Sequence, residues 1–161
     1  MNGDDERVLH TTSNAEWLPP RGGTAQVIAL AEPPPRPMSL VRLLLRREDR
    51  VFCVPRERTG GKLDLPTRLV GEHDPQGALA IAELARCITR TDALLTFIGA
   101  VRNTVDRPSP GYGWPAPVSH FGVWGGADAD PVVDGVWLPV GRCRSELADR
   151  HWYPLLGATS A

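Results

Sequence analysis

The chain has 161 residues, 42% apolar and 23% charged, with a formal net charge of −1. That is the composition of one soluble globular domain, long enough to bury roughly 70% of its unfolded surface. The near-neutral balance argues against the dense positive field that binds nucleic-acid backbones. The apolar runs around Val27 and Leu43 fall far short of a bilayer span, and the acidic first residues do not make a signal peptide, so a cytoplasmic protein without membrane contact is expected. Three separated cysteines, Cys53, Cys87 and Cys143, have no metal-ligand spacing and read as buried or half-buried free thiols. Lys62 is the only lysine, so the cations are almost all arginines, which suit forked contacts to carboxylate or phosphate.

In chain order, residues 1–24 are polar, carry prolines and a Gly pair, and read as a flexible N-terminal arm on which Trp17 docks back. A single domain is expected over 25–161. Residues 25–31 predict a first strand, ended by the stiff proline run 33–37. Residues 40–45 and 51–54 flank a charged turn and predict a hairpin, followed by extended chain over 63–70. Asp74-Pro75 has the signature of a helix start, with Asp as N-cap and Pro at the first helical position. Ile81, Leu84, Ala85 and Ile88 then recur at helical spacing as one buried stripe, predicting a helix from about Pro75 to Arg90. A strand over about 94–101, a long Pro/Gly-rich connection over 103–119, strands over 118–124 and 132–140, a helix over 141–150 and an apolar stop at 152–156 complete the chain.

This order of hairpin, Leu-Pro segment, capped helix, further strands and last helix resembles the Nudix hydrolase superfamily over roughly residues 39–156. The family's box, G-x5-E-x7-R-E-U-x-E-E-x-G-U with U a bulky apolar residue, places Arg68 at the first glycine, Asp74 at the first glutamate, and Ala82 and Glu83 at the Arg-Glu pair. Leu84 falls at the first apolar position, Arg86 and Cys87 at the paired glutamates, Thr89 at the second glycine and Arg90 at the closing apolar position. The resemblance implies an α/β fold, a Nudix-type α/β/α sandwich with a mixed sheet. It also implies Mg²⁺- or Mn²⁺-dependent hydrolysis of a nucleoside-diphosphate-type substrate. In that reading Glu83 and Asp74 are the catalytic residues, and Glu83 with Asp128, Asp130 and Asp134 forms the metal shell.

The departures from the box have physical weight. Carboxylates at i, i+3 and i+4 on one helical face jointly hold a hard divalent cation. Here those positions read Glu83, Arg86 and Cys87, leaving one oxygen ligand beside a permanent cation and a soft sulfur. Arg86 is placed to pair with Glu83 across i, i+3. The acidic stretch 128–134 is equally a solvated turn, and His73 and His120 are candidate bases only if partnered. Residues 41–68 carry eight basic against four acidic side chains, ordinary for a solvated hairpin; Arg68 stands apart because it replaces the box glycine beside the expected phosphate pocket.

Two functions from different classes therefore stand side by side. The first is metal-dependent hydrolysis. The second is a non-catalytic ligand-binding or protein-interaction module, with Arg68 and Arg86 as anion contacts and Tyr112 and Trp114 as stacking groups for a base. The expected partners are a small nucleotide-like ligand and, as an option, a second copy in a homodimer.

Overall fold

A computed structural model describes residues 6–19, 23–56, 61–126 and 129–158. Its strands are β1 (Arg7–Ser13), β2 (Gly23–Ala29), β3 (Met38–Arg47), β4 (Arg50–Pro55), β5 (Leu63–Asp64), β6 (Thr67–Leu69), β7 (Leu95–Val105), β8 (Val118–Gly126) and β9 (Val136–Pro139). The helices are α1 (Ala78–Thr89), α2 (Val140–Leu147) and α3 (Pro154–Ala158). The strands join in the order β1-β2-β7-β8-β3-β4-β5, with β6 added to β3 and β9 to β4. The β3–β8 pairing is parallel and the other pairings are antiparallel, so the sheet is mixed.

Strand alternation sorts the core into two layers. Val41, Leu43 and Leu45 of β3 face one side, where Ile81, Leu84, Ala85 and Ile88 of α1 pack with Trp124. Leu40 and Leu44 face the other, with Phe121, Val123, Leu147, Trp152 and Leu155. Helices thus cover both faces, as the resemblance implies. No helix among the described residues is long and apolar enough to cross a membrane.

The amino-terminal segment departs from expectation. Residues 7–13, read as part of a loose arm, form an edge strand antiparallel to β2. Val8, Thr11 and Thr12 favour extended chain, and beyond the strand Ala15 and Leu18 anchor the chain in a small cluster with Ala25 and Val105. Other boundaries move for local reasons. The connection after β7 shortens to 106–117 because Asn103 and Thr104 pair with Ser119 and Val118. Val132, expected within the last strand, donates its N–H to the Ile88 carbonyl at the end of α1, and β9 begins only at Val136. The apolar stop is helical, as α3. Cys87 is exposed, whereas Cys53 and Cys143 are buried.

The start of α1 lies three residues beyond the expected one. Asp74 and Gly77 close a turn, Gly77 N–H to Asp74 carbonyl at 3.1 Å, and Gly77 takes a left-handed φ of 79° before the helix begins. A Cβ on Gly77 would meet Met38 Cγ and Val41 Cγ1, each at 2.9 Å, so glycine is required for both space and backbone. Asp74 still caps the helix, from further upstream: its buried carboxylate accepts the N–H groups of Leu79 (3.2 Å) and Ala80 (2.8 Å). These are two of the orphan donors of the first turn. Asp74→Ala is expected to destabilise the protein by about 1–2 kcal/mol, read as a lower urea midpoint with an unchanged slope.

Candidate functional site

The helix face that the box reserves for metal carries a different chemistry. Glu83 lies on the exposed side of α1, and Arg68, reaching over from β6, pairs with it at 2.7 Å. The expected Glu83–Arg86 pair does not form. Arg86 turns instead to Asp92 beyond the helix end, at 3.5 Å. Asp74, the second expected catalytic residue, is committed to capping α1. Asp130 is bound to Arg47 at the end of the β3–β4 hairpin, where that guanidinium also stacks over Trp137 at 4.4 Å. Asp134 is exposed, and Asp128 lies outside the described residues. No group of three metal-ligating side chains comes together among the described residues. Mg²⁺ or Mn²⁺ does not fit this donor set: the one helix carboxylate is neutralised by Arg68, and its neighbours in the triad are an arginine and a thiol.

The histidines proposed as bases are also placed elsewhere. His73 is exposed. His120 is buried in β8, where its Nε2 accepts from Arg102 Nε at 3.0 Å. Its Nδ1 therefore holds the proton and donates to the Pro37 carbonyl at 3.0 Å. Burial pushes the His120 pKa down; the Pro37 contact opposes this and the Arg102 charge adds to it.

Tyr112 and Trp114 do come together, on the sheet face opposite α1. The loop 106–117 folds back so that Trp114 meets Phe121 edge-on at 5.0 Å, while Tyr112 packs on the cluster of Ala15 and Leu18. They wall a cavity of about 430 Å³ whose floor is Leu40 and Arg42 of β3 with Asn103 of β7. At its mouth Trp17 stacks on His151, ring centroids 3.9 Å apart. The cavity continues into a groove of about 640 Å³ that shares Leu40, Arg42 and Arg56 and runs to Arg68.

Arg42 is the unexpected member. Sequence reading placed it with the solvated hairpin cations, yet it is 8% exposed and its Nε and Nη1 have no hydrogen-bond partner. Two further unpaired buried atoms belong to residues of the same cavity, Asn103 Oδ1 and the Tyr112 hydroxyl. Burial lowers the Arg42 pKa to about 10, so the group remains a cation at neutral pH. Its signal was present in the sequence: a single charge within Leu40-Val-Arg-Leu-Leu-Leu45, a run apolar enough to be covered on both faces. Asn103 had no such signal.

The other cations around the cleft are matched by carboxylates. Asp64, 3% exposed, accepts Arg56 Nε at 3.0 Å, Trp152 Nε1 at 2.7 Å and the Leu65 N–H at 2.8 Å. Arg150 donates to the Leu63 carbonyl at 3.0 Å and to Asp149 at 2.9 Å. Neither Asp64 nor Arg150 was singled out in the sequence.

No family model matches the sequence, and no curated protein matches it. Solved structures do. The Bacillus subtilis pyrophosphohydrolase BsRppH superposes with a TM-score of 0.54 at 12% identity, over 93% of this chain and 98% of that one. The solution structure of the E. coli ORF135 protein gives 0.53 at 14% identity, covering 74% and 86%. A NUDIX hydrolase from Nitrosomonas europaea gives 0.51 at 14%, covering 78% and 87%. The likeness is one of fold: the chain has the Nudix fold.

Two outcomes are expected of this geometry. Arg42→Met, which keeps much of the volume and removes an unpaired buried charge, is expected to stabilise the free protein by about 1–3 kcal/mol in thermal or urea unfolding. The second concerns acid. His120 has a folded pKa below its unfolded value of about 6.5, so the unfolded state takes up the proton first as pH falls. Its contribution is full above the unfolded pKa and is lost as pH falls through the folded one. Burial lowers the His151 pKa in the same sense. The urea midpoint should therefore decline between neutral pH and mild acid, with a shallower decline in His120→Gln.

Proposed function

We propose that this chain is a Nudix-fold small-molecule binding module that holds an anionic, nucleotide-like ligand without hydrolysing it. The observation that carries this reading is the exchange of roles between two sites. Glu83, the one box carboxylate of α1, is occupied by Arg68. Meanwhile the opposite sheet face presents a cleft with a buried cation lacking a protein hydrogen-bond acceptor and four aromatic side chains, Trp17, Tyr112, Trp114 and Phe121.

The chemistry is that of recognition. Indole and phenol faces stack on a planar ring, a contact worth about 1–3 kcal/mol per base. In this reading the Asn103 amide and the Tyr112 phenol, which line the cavity, hydrogen-bond the edge of that ring, and the Arg42 guanidinium receives an oxyanion. Arg68, spent on Glu83, and Arg86, spent on Asp92, are relieved of the anion-binding role.

The test is a panel of cyclic nucleotides, nucleoside mono- and triphosphates, nucleotide sugars, dinucleoside polyphosphates and ADP-ribose with Mg²⁺ or Mn²⁺, assayed both for phosphate release with a coupling pyrophosphatase or phosphomonoesterase and for quenching of tryptophan fluorescence. Saturable quenching by at least one of them, with turnover of none, is expected, and Glu83→Gln should change neither stability beyond about 0.5 kcal/mol nor binding. A metal-dependent rate abolished by Glu83→Gln would overturn the reading.

A further inference from the structure

The charge inventory of the cleft goes further than its shape and deepens the binding reading, on which it rests. Each cation along the described residues of the cleft and its groove can be assigned. Arg56 is held by Asp64 at 3.0 Å, and Arg68 by Glu83 at 2.7 Å. Arg150, packed behind them, is held by Asp149 at 2.9 Å. Arg42 alone has no carboxylate within ion-pair distance; the Asp64 charge offsets its burial only in part, and its Nε and Nη1 have no protein acceptor. Burying an unpaired ion is so costly that a fold keeps one only where something compensates it. Solvent does not, at 8% exposure. The missing compensation is one negative charge.

Multiply charged ligands fit this environment poorly. Every other guanidinium described along the cleft already shares its charge with a carboxylate, so a second ligand charge would meet a cation that is largely neutralised. The Asp64 carboxylate, 3% exposed and lining the same groove, would repel it as well. A guanidinium offers parallel N–H pairs, the geometry of a carboxylate or of the two free oxygens of a phosphodiester, and two of the three Arg42 nitrogens are without a protein acceptor. Above that fork the cleft is aromatic, with Phe121 and Trp114 on one side and Tyr112 on the loop. Asn103 Oδ1 and the Tyr112 hydroxyl supply the remaining unsatisfied polar atoms, suited to the polar edge of a ring.

We propose that the cleft selects a planar aromatic ligand bearing one negative charge on a forked oxyanion, bound by Arg42, and that it discriminates against the multiply charged nucleoside diphosphates on which the Nudix name rests. Two sources supply that chemistry, an aromatic carboxylate and a cyclic nucleotide with its single phosphodiester charge. They share the ring, the fork and the charge.

The experiment is calorimetric titration of the full chain, without metal, with a ladder that holds the base constant: adenosine, 3′,5′-cyclic AMP, AMP and ADP. 2-Naphthoate forms the carboxylate arm, with 2-naphthamide as its neutral counterpart. At least one monoanion is expected to bind about tenfold or more tighter than its neutral counterpart and than ADP. Whether cyclic AMP or naphthoate does so identifies the source. In Arg42→Met that advantage should vanish, leaving the monoanion no tighter than its neutral counterpart, while the free variant melts higher than wild type. Arg42→Lys, which keeps the charge and loses the fork, should recover part of it. The higher melting temperature shows that the variant is folded, so lost binding cannot be a folding defect. Should ADP bind tightest, or Arg42→Met bind the monoanion as wild type does, the selectivity is wrong while non-hydrolytic binding stands. Metal-dependent turnover with the monoanion preference intact would instead overturn only the non-hydrolytic reading. No saturable binding by any of the six probes would overturn both.

Discussion

Asp64 is the interaction on which the cleft side of the sheet depends. Its carboxylate sits at 3% exposure and gathers the Leu65 N–H, the Trp152 indole N–H and Arg56. Arg150 lies 4.0 Å from the second oxygen and ties Leu63 besides. A carboxylate at that depth is tolerable only because every contact it makes is a donor and one of them is a full cation. The consequence is architectural. The two-residue strand β5, too short to hold its place through ladder bonds alone, is fixed to the carboxy-terminal segment carrying Trp152, Tyr153 and α3. That segment covers the β2 and β1 end of the sheet and brings His151 to the mouth of the cavity. The same contact engages Arg56 and leaves Arg42 with only the more distant field of Asp64 against its burial.

Between the two faces the electrostatics of a Nudix site are inverted. A helix bearing three carboxylates makes a negative patch that a divalent metal neutralises. Here the equivalent positions of α1 carry one negative charge, one positive charge and a thiol, and Arg68 enters from the sheet to neutralise the first. The ion pair is exposed on both sides, so its worth to stability is about 0–1 kcal/mol. Its effect lies in occupancy. Glu83 has a partner that the fold itself supplies. The same logic disposes of Asp130, drawn to Arg47, and of Asp74, whose two oxygens terminate α1.

The fold was legible in the sequence where the pattern was long. The stripe of Ile81, Leu84, Ala85 and Ile88, the β3–β4 hairpin and the element order sufficed for an α/β sandwich with a mixed sheet. Short elements were less so. β1 has only Leu9 and Thr12 half-buried, and a strand exposed on both faces leaves little alternation to read. The start of α1 was misplaced because Asp74-Pro75 carries every local mark of a helix start, while the turn that postpones it depends on Gly77 seating against Met38 and Val41, a tertiary fact. At the site, Tyr112 and Trp114 were found by type and by their loop. Arg42 was set aside because strand alternation alone would send half the hairpin cations to solvent. Only the apolar residues on both sides of it show that both faces of that strand are largely covered.

The distribution of unsatisfied atoms closes the physical account. Buried polar groups in native proteins are overwhelmingly paired, so each exception calls for a cause. Among the described residues the exceptions are Ser39, Arg42, Asn103, Tyr112 and Ser119. The two serines carry a small neutral hydroxyl each, the least expensive group to leave unpaired, and neither lines the cavity. The other three form the floor and wall of one cavity of about 430 Å³. One of them is an ion, and replacing it with an apolar side chain of similar length is the simplest route to a more stable sheet. Stability therefore offers no reason for Arg42 at that position, and packing offers none for placing an amide and a phenol beside it. A cleft that concentrates its unmet hydrogen-bonding capacity in one place, on a rigid sheet and under aromatic walls, has the organisation of a preformed binding site.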